Sequence, residues 1–275
     1  MRIKSLINAC VVTLGLSVMA APVHADDLLA RIKSAGELVV GTEMQFAPFD
    51  FHENGQQTGF NKDLFGAVAQ KMGVKVRFID LPWPSVLPGL DASKFDMGGG
   101  PILVTQARKE RYAFTLPVAD GTVALLKSAK NDALQKPEDI AGLTVGGSKG
   151  SAQLEQLKTF AATLPKPVEV REYVDNNQAY ADIVSGRLAA VGNSITNIAY
   201  VAKQRPKMFQ VVQPPFGKKV YFAYFMRKDE DSRSLLDAFN KALGEMRADG
   251  SLAQLQQKWF GMEMDVPTAE FQPEV

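Results

Sequence analysis

Cysteine and histidine are nearly missing from this chain: its 275 residues include one of the former and two of the latter. A single thiol forbids an intramolecular disulfide framework or a cysteine-rich zinc site. Two imidazoles leave little for a histidine-based metal centre or catalytic dyad. An excess of one charge is also missing, since 31 Lys and Arg stand against 30 Asp and Glu for a net charge of +1. That balance argues against nucleic acid as a partner, because affinity there depends on clustered cations facing phosphates. Disorder is excluded by an apolar content of 46%. Beyond residue 25 no apolar run is long enough to span a bilayer. Length places the chain between one and two domains.

The apolar run that does exist lies at the start. Arg2 and Lys4 precede an uncharged stretch from Leu6 to Ala21, and Val23-His24-Ala25 offers small residues at a cleavage position before Asp26. This pattern predicts a cleavable secretory signal peptide over residues 1–25. A membrane anchor is the competing reading, disfavoured by Pro22 and by a core short of the roughly 20 residues that a spanning helix needs. Cleavage removes two cations, Cys10 and His24, so 29 cations face 30 acids and the net charge becomes −1. The exported protein then has no cysteine and one histidine, His52, beside an Asn54-Gly55 turn signal, where an exposed loop position is expected.

The remaining sequence alternates between two periodicities. Leu28, Leu29 and Ile32 mark a helix ending at Gly36, followed by a strand from Glu37 to Gly41. Asn61 stands where a cap is expected for a helix carrying Leu64, Phe65, Val68 and Met72, with Gly73 as its stop. Val74, Val76 and Phe78 alternate with cations as a half-buried strand, a helix follows around Val86 to Leu90, and Phe95 to Met97 reads as the next strand. A second run of the same kind covers strands at 143–146, 168–170, 188–191 and 209–212, with helices between them. An aromatic strand from Val220 to Met226 and two helices close the chain. The expected architecture is α/β, with mostly parallel sheets covered by helices and two units facing a shared cleft. Ligands in such folds bind beyond the carboxyl ends of strands. The candidate loops are therefore 42–49, 81–85, 98–108, 147–153 and 192–195.

Those loops carry a resemblance. FAPFDFHENGQQTGFNKDLFGAVAQKMG (Phe46 to Gly73), WPSVLPGLDASKFDMGGGPILVTQARKERYAF (Trp83 to Phe114), IAGLTVGGSKGSAQLE (Ile140 to Glu155) and LGEMRADGSLAQLQQKWFG (Leu243 to Gly261) together resemble the family 3 solute-binding proteins, the periplasmic amino-acid receptors of ABC importers. The resemblance spans the exported chain in order. It implies a two-lobe, type II periplasmic-binding-protein fold: lobe one from residues 26–121 and 219–262, lobe two inserted as 122–218, two hinge crossings, and a tail at 263–275. It further implies a periplasmic, monomeric, non-enzymatic receptor without cofactor or metal. Its partners would be a small carboxylate-bearing ligand and a membrane permease. The periplasmic cyclohexadienyl dehydratases resemble the same receptors, which leaves an enzyme as the alternative.

By this resemblance Arg108 grips the ligand's α-carboxylate, a task suited to a planar guanidinium that makes two parallel charge-assisted bonds and does not lose its proton. Phe46 and Trp83 match aromatic positions that sandwich the ligand, and Glu43 an acidic position that meets a polar or cationic group. Leu103 and Ala152 match positions that offer backbone amides, and Gly100 ends a glycine run that lets the backbone approach a ligand. The segment Gly146 to Ala152 is not a nucleotide-binding P-loop, because Lys149 precedes Gly150. One position departs from the pattern. Ser194 stands where many members have an aspartate for the ligand's ammonium. Either another acid such as Glu43 or Asp120 substitutes, or neutral acceptors serve, or the ligand is a betaine-like or cyclic amidinium cation held by aromatic faces.

Overall fold

A computed structural model describes residues 27–274, and the expected signal peptide lies outside them. The first sheet is six-stranded. Glu37–Thr42 pairs in parallel with Lys75–Asp80 on one side and Met97–Leu103 on the other. Tyr221–Arg227 then runs antiparallel to Met97–Leu103 and also pairs with Tyr112–Phe114 and Ala119–Asp120. Alternation along Tyr221–Arg227 sorts its side chains. Phe222, Tyr224 and Met226 join the large core beneath the helices Leu28–Ala35, Phe60–Met72, Glu230–Ala248 and Ser251–Phe260, while Phe225 faces the helix Trp83–Asp91.

Met97–Leu103 corrects the expectation of a loop at Gly98-Gly99-Gly100. All seven residues are buried strand. A Cβ on Gly98 would lie 2.1 Å from the Phe225 ring, and one on Gly99 would lie 2.1 Å from Val40 Cγ1. These two glycines make room for core side chains of adjacent strands, and Gly100 alone borders the cavity described below.

The second sheet has the order Glu169–Tyr173, Thr144–Ser148, Ala190–Ser194, Val123–Ser128, Phe209–Val212. Its first three strands are parallel and its last two pairings antiparallel. Leu157 of the helix Ala152–Ala161 packs in the core on one face, while Ile183 of Asn176–Val184 and Ile198 of Ile195–Gln204 pack on the other. Periodicity did not announce Val123–Ser128, because five of its six residues are buried and no alternation survives. Asn61 is another correction. Gly59 occupies the cap position of Phe60–Met72, and Asn61 lies buried inside the helix, donating to Asp50 Oδ2 at 2.7 Å and accepting from the Tyr224 hydroxyl at 2.6 Å.

Two segments cross between the sheets side by side. Gly121 N donates to Val220 O at 2.8 Å, and Gly217 N donates to Val123 O at 3.1 Å. Asp120 fastens the pair by accepting from Thr122 N and Oγ1 at 2.8 and 2.7 Å and meeting Lys219 Nζ at 2.8 Å. Burial would raise the Asp120 pKa, but these hydrogen bonds and the lysine charge bring it below the usual carboxylate range. A small antiparallel hairpin of Gln45–Phe46, Asp50–Glu53 and Gln56–Thr58 overhangs the first sheet, turning at Asn54-Gly55, both with positive φ. His52 is exposed on this hairpin. Among the described residues no helix is long and apolar enough to cross a membrane.

Candidate functional site

A narrow cavity lies between the lobes, lined by residues of both. Each of the five segments expected to follow a strand supplies part of its wall: Glu43 and Phe46 from the first, Trp83 from the second, Gly100 to Leu103 and Arg108 from the third, Ser148, Ser151 and Gln153 from the fourth, Asn193 from the fifth, with Gly100 to Leu103, Ser148 and Asn193 still within their strands. Val86, Asn176 and Phe222 complete it. Asn176 opens the helix that follows Glu169–Tyr173, so the rule that found the other loops applies to it as well. Val86 and Phe222 had no signal in the sequence beyond their apolarity.

Arg108 sits in the short helix Gln106–Arg111, which Thr105 caps by accepting from Arg108 N at 3.2 Å. Its Nη1 donates to Leu103 O at 3.0 Å, and its guanidinium carbon lies 5.6 Å from the centre of the Trp83 ring. Burial pushes the guanidinium pKa down to about 10, with the Tyr112 hydroxyl acting in the opposite direction. It therefore remains charged at neutral pH. No acidic group among the described residues contributes to that balance, so a mostly desolvated cation faces the cavity without a carboxylate partner from the protein.

The opposite electrostatic character gathers at Glu43. Its side chain is 7% exposed, and its Oε1 has no hydrogen-bond partner among the described residues. Burial, followed by the charges of Asp175, Asp80 and Asp50, pushes its pKa up to about 8. Behind it Asp50 is fully buried and raised to about 7, chiefly by burial, even though Thr42 Oγ1 and Asn61 Nδ2 both donate to its Oδ2. Asn176 Oδ1, which lines the same cavity from the other lobe, likewise has no donor among the described residues. Phe46 stacks on Phe49 at 5.4 Å and meets Phe222 edge-on at 5.7 Å, which fixes the aromatic wall.

Two expected residues stand outside this cavity. Ala152 begins the helix Ala152–Ala161 and borders a neighbouring outer groove, while its cap Ser151 and the following Gln153 face the cavity. Ser194 is wholly buried at the end of its strand, and its Oγ accepts from Gln153 Nε2 at 3.0 Å. Pleating turns the adjacent residue Asn193 toward the cavity instead. Asp120 is committed to the hinge and does not line the cavity. The lobes touch across the cleft: Asn197 Nδ2 donates to Ala47 O at 2.7 Å, and the Phe51 and Tyr200 rings are 5.7 Å apart.

Residues 38–262 match the family of bacterial extracellular solute-binding proteins, family 3. The L-cystine-binding protein TcyJ of Escherichia coli K12 is 29% identical over 261 residues, which cover 94% of each chain. A probable amino-acid ABC transporter-binding protein of Haemophilus influenzae is 31% identical over 244 residues, covering 88% of this chain and 91% of that one. Among solved structures, the ancestral amino-acid-binding protein AncCDT-1, a precursor of cyclohexadienyl dehydratase, is similar with a TM-score of 0.75 and 32% identity, covering 85% of this chain and 99% of that one.

Proposed function

Since the chain belongs to the family 3 bacterial extracellular solute-binding proteins, we propose that it is a periplasmic, monomeric receptor that closes on a zwitterionic amino acid and delivers it to an ABC permease. The observation that carries this reading is the desolvated Arg108 guanidinium over Trp83, without a protein carboxylate to neutralise it. A ligand carboxylate supplies that charge through two parallel bonds. At the other pole, Glu43 Oε1 and Asn176 Oδ1 are the acceptors for the ligand's ammonium and take over the task of the aspartate replaced at Ser194. Glu43 loses its own proton as the ammonium arrives, because a cation at contact distance favours the carboxylate. The ligand's side chain lies against Phe46 and Phe222.

Closure follows from where these groups sit. Arg108, Glu43 and the aromatic wall belong to lobe one, whereas Gln153, Asn176 and Asn193 belong to lobe two. A ligand that touches both stabilises the arrangement in which the lobes meet, and the two crossings are the hinge. A thermal-shift panel of amino acids, betaines, ectoines and keto acids on ligand-stripped protein tests the reading. Stabilisation by one or more α-amino acids is expected. Stabilisation by betaines alone would replace the ammonium assignment, and a response to no carboxylate would contradict the reading.

One observation supports a second reading. Burial pushes the Glu43 pKa up to about 8 in a cavity lined by aromatics, the direction that a general acid requires, and the similar AncCDT-1, itself an amino acid-binding protein, is a precursor of cyclohexadienyl dehydratase. Turnover of prephenate or arogenate would establish the enzyme. The receptor leaves both unchanged.

A further inference from the structure

The segment that follows the last helix is fastened to lobe one and to the second crossing at several points. Lys109 Nζ donates to Glu270 Oε1 and to Phe271 O, both at 3.0 Å, and Gln106 Nε2 donates to Pro273 O at 3.3 Å. The Phe271 ring stands edge-on to Tyr221 at 5.3 Å and 85°. Lys218 Nζ donates to Glu274 O at 3.1 Å. Gln106 and Lys109 bracket Arg108 in the six-residue helix Gln106–Arg111, whose other side chains are exposed or half-exposed. So short a helix has little internal stability and depends on contacts outside it, among them Arg108 to Leu103 O and Arg111 to Asp91. Lys218 lies in the second crossing, where its backbone amide donates to Gln156 Oε1 of lobe two at 3.2 Å. Tyr221 O in turn accepts from Val104 N at 3.0 Å, just ahead of the Arg108 helix.

We propose that Glu270–Glu274 is a positioning strap that fastens the Arg108 helix to the second interlobe crossing, so that the guanidinium and the hinge keep a fixed relation. The importance of Arg108 rests on the reading above; the strap itself does not. No single contact is enough. The Glu270 side chain is 84% exposed, and ion pairs of that kind contribute little. Three backbone carbonyls caught by side chains, together with one aromatic pair, act jointly on a segment that has no regular secondary structure of its own. The strap touches neither the cavity nor the ligand, so it acts through Arg108.

Amide hydrogen exchange on the full chain, with no ligand added, tests this. The double variant Glu270→Gln/Phe271→Ala is expected to exchange about tenfold faster at residues 108–112 and 219–222, with the lobe-two strand Thr144–Ser148 unchanged. Glu270→Asp/Phe271→Tyr, which keeps the charge and the ring, is expected to restore wild-type exchange within about twofold. Unchanged exchange at 108–112 would overturn the strap, and an equal rise in both lobes would reduce it to general stabilisation, which also overturns it. Because no ligand enters the measurement, a chain that bound no amino acid would sink the receptor's ligand assignment and leave this result standing.

Discussion

The guanidinium of Arg108 lies over the ring of Trp83 at 5.6 Å while one of its nitrogens donates to the carbonyl of Leu103, so its orientation is set before any ligand arrives. Pre-organisation of this kind reduces the entropy lost on binding. It also holds a charge in a desolvated place without a protein counter-charge, which costs stability. Arg108→Met is therefore expected to leave the melting temperature of ligand-free protein unchanged or raised by a few degrees. A fall of about 5 °C or more would show that the arginine is structural.

The carboxyl pair behind the cavity sets a pH dependence with a definite sign. Glu43 rises from 4.5 to about 8 and Asp50 from 3.8 to about 7 on folding. Below the unfolded values both groups hold protons in both states. Above them the folded chain keeps protons that the unfolded chain has released, so stability falls as pH rises, by up to about 1.4 kcal/mol per pH unit for each group, and flattens above about pH 8. Denaturant unfolding of ligand-free protein at pH 5 and pH 8 checks this. Glu43→Gln is expected to remove its share of the decline and make the protein more stable than wild type at pH 8. An equal pH slope in the variant would contradict the assignment.

The same carboxyl makes binding proton-linked. If a ligand ammonium ionises Glu43, calorimetry at pH 7 in buffers of different ionisation enthalpy will report release of up to one proton per ligand, and affinity will climb as pH rises toward 8. Glu43→Gln abolishes the release. Binding without proton release in the wild type would assign the ammonium to neutral acceptors such as Asn176.

Across the cleft, Asn197 donates to the carbonyl of Ala47 at 2.7 Å. This bond exists only while the lobes meet, and a neutral hydrogen bond contributes about 1 kcal/mol. Asn197→Ala is thus expected to weaken ligand binding about fivefold, mainly through faster dissociation. An unchanged dissociation rate would mean that the contact does not belong to closure.

Much of this was legible in the sequence because β-α alternation prints its period on amphipathic elements. The helix Glu230–Ala248 and the strand Lys75–Asp80 follow their patterns closely. Met97–Leu103 did not, since its glycines serve core packing against Phe225 and Val40 and carry no strand propensity. Site loops were found by their place after strands, and the arginine and the aromatics by resemblance. Neither route separates Asn193 from Ser194, because strand twist and pleat decide which of two neighbours faces the cleft. Nor did the tail's composition reveal that Glu270 and Phe271 meet Lys109, a contact between residues 161 and 162 positions apart.

The carboxylate anchor is tested most directly by the melting temperature of ligand-stripped wild type and of Arg108→Ala, each with and without saturating α-amino acid from the panel. Wild type is expected to gain several degrees from its amino acid, consistent with about 3 to 4 kcal/mol at 100 to 1,000 times the dissociation constant, and the variant to gain none while its ligand-free melting stays near that of wild type. Full ligand-induced stabilisation in the variant would contradict the carboxylate anchor, and with it the proposed mode of binding.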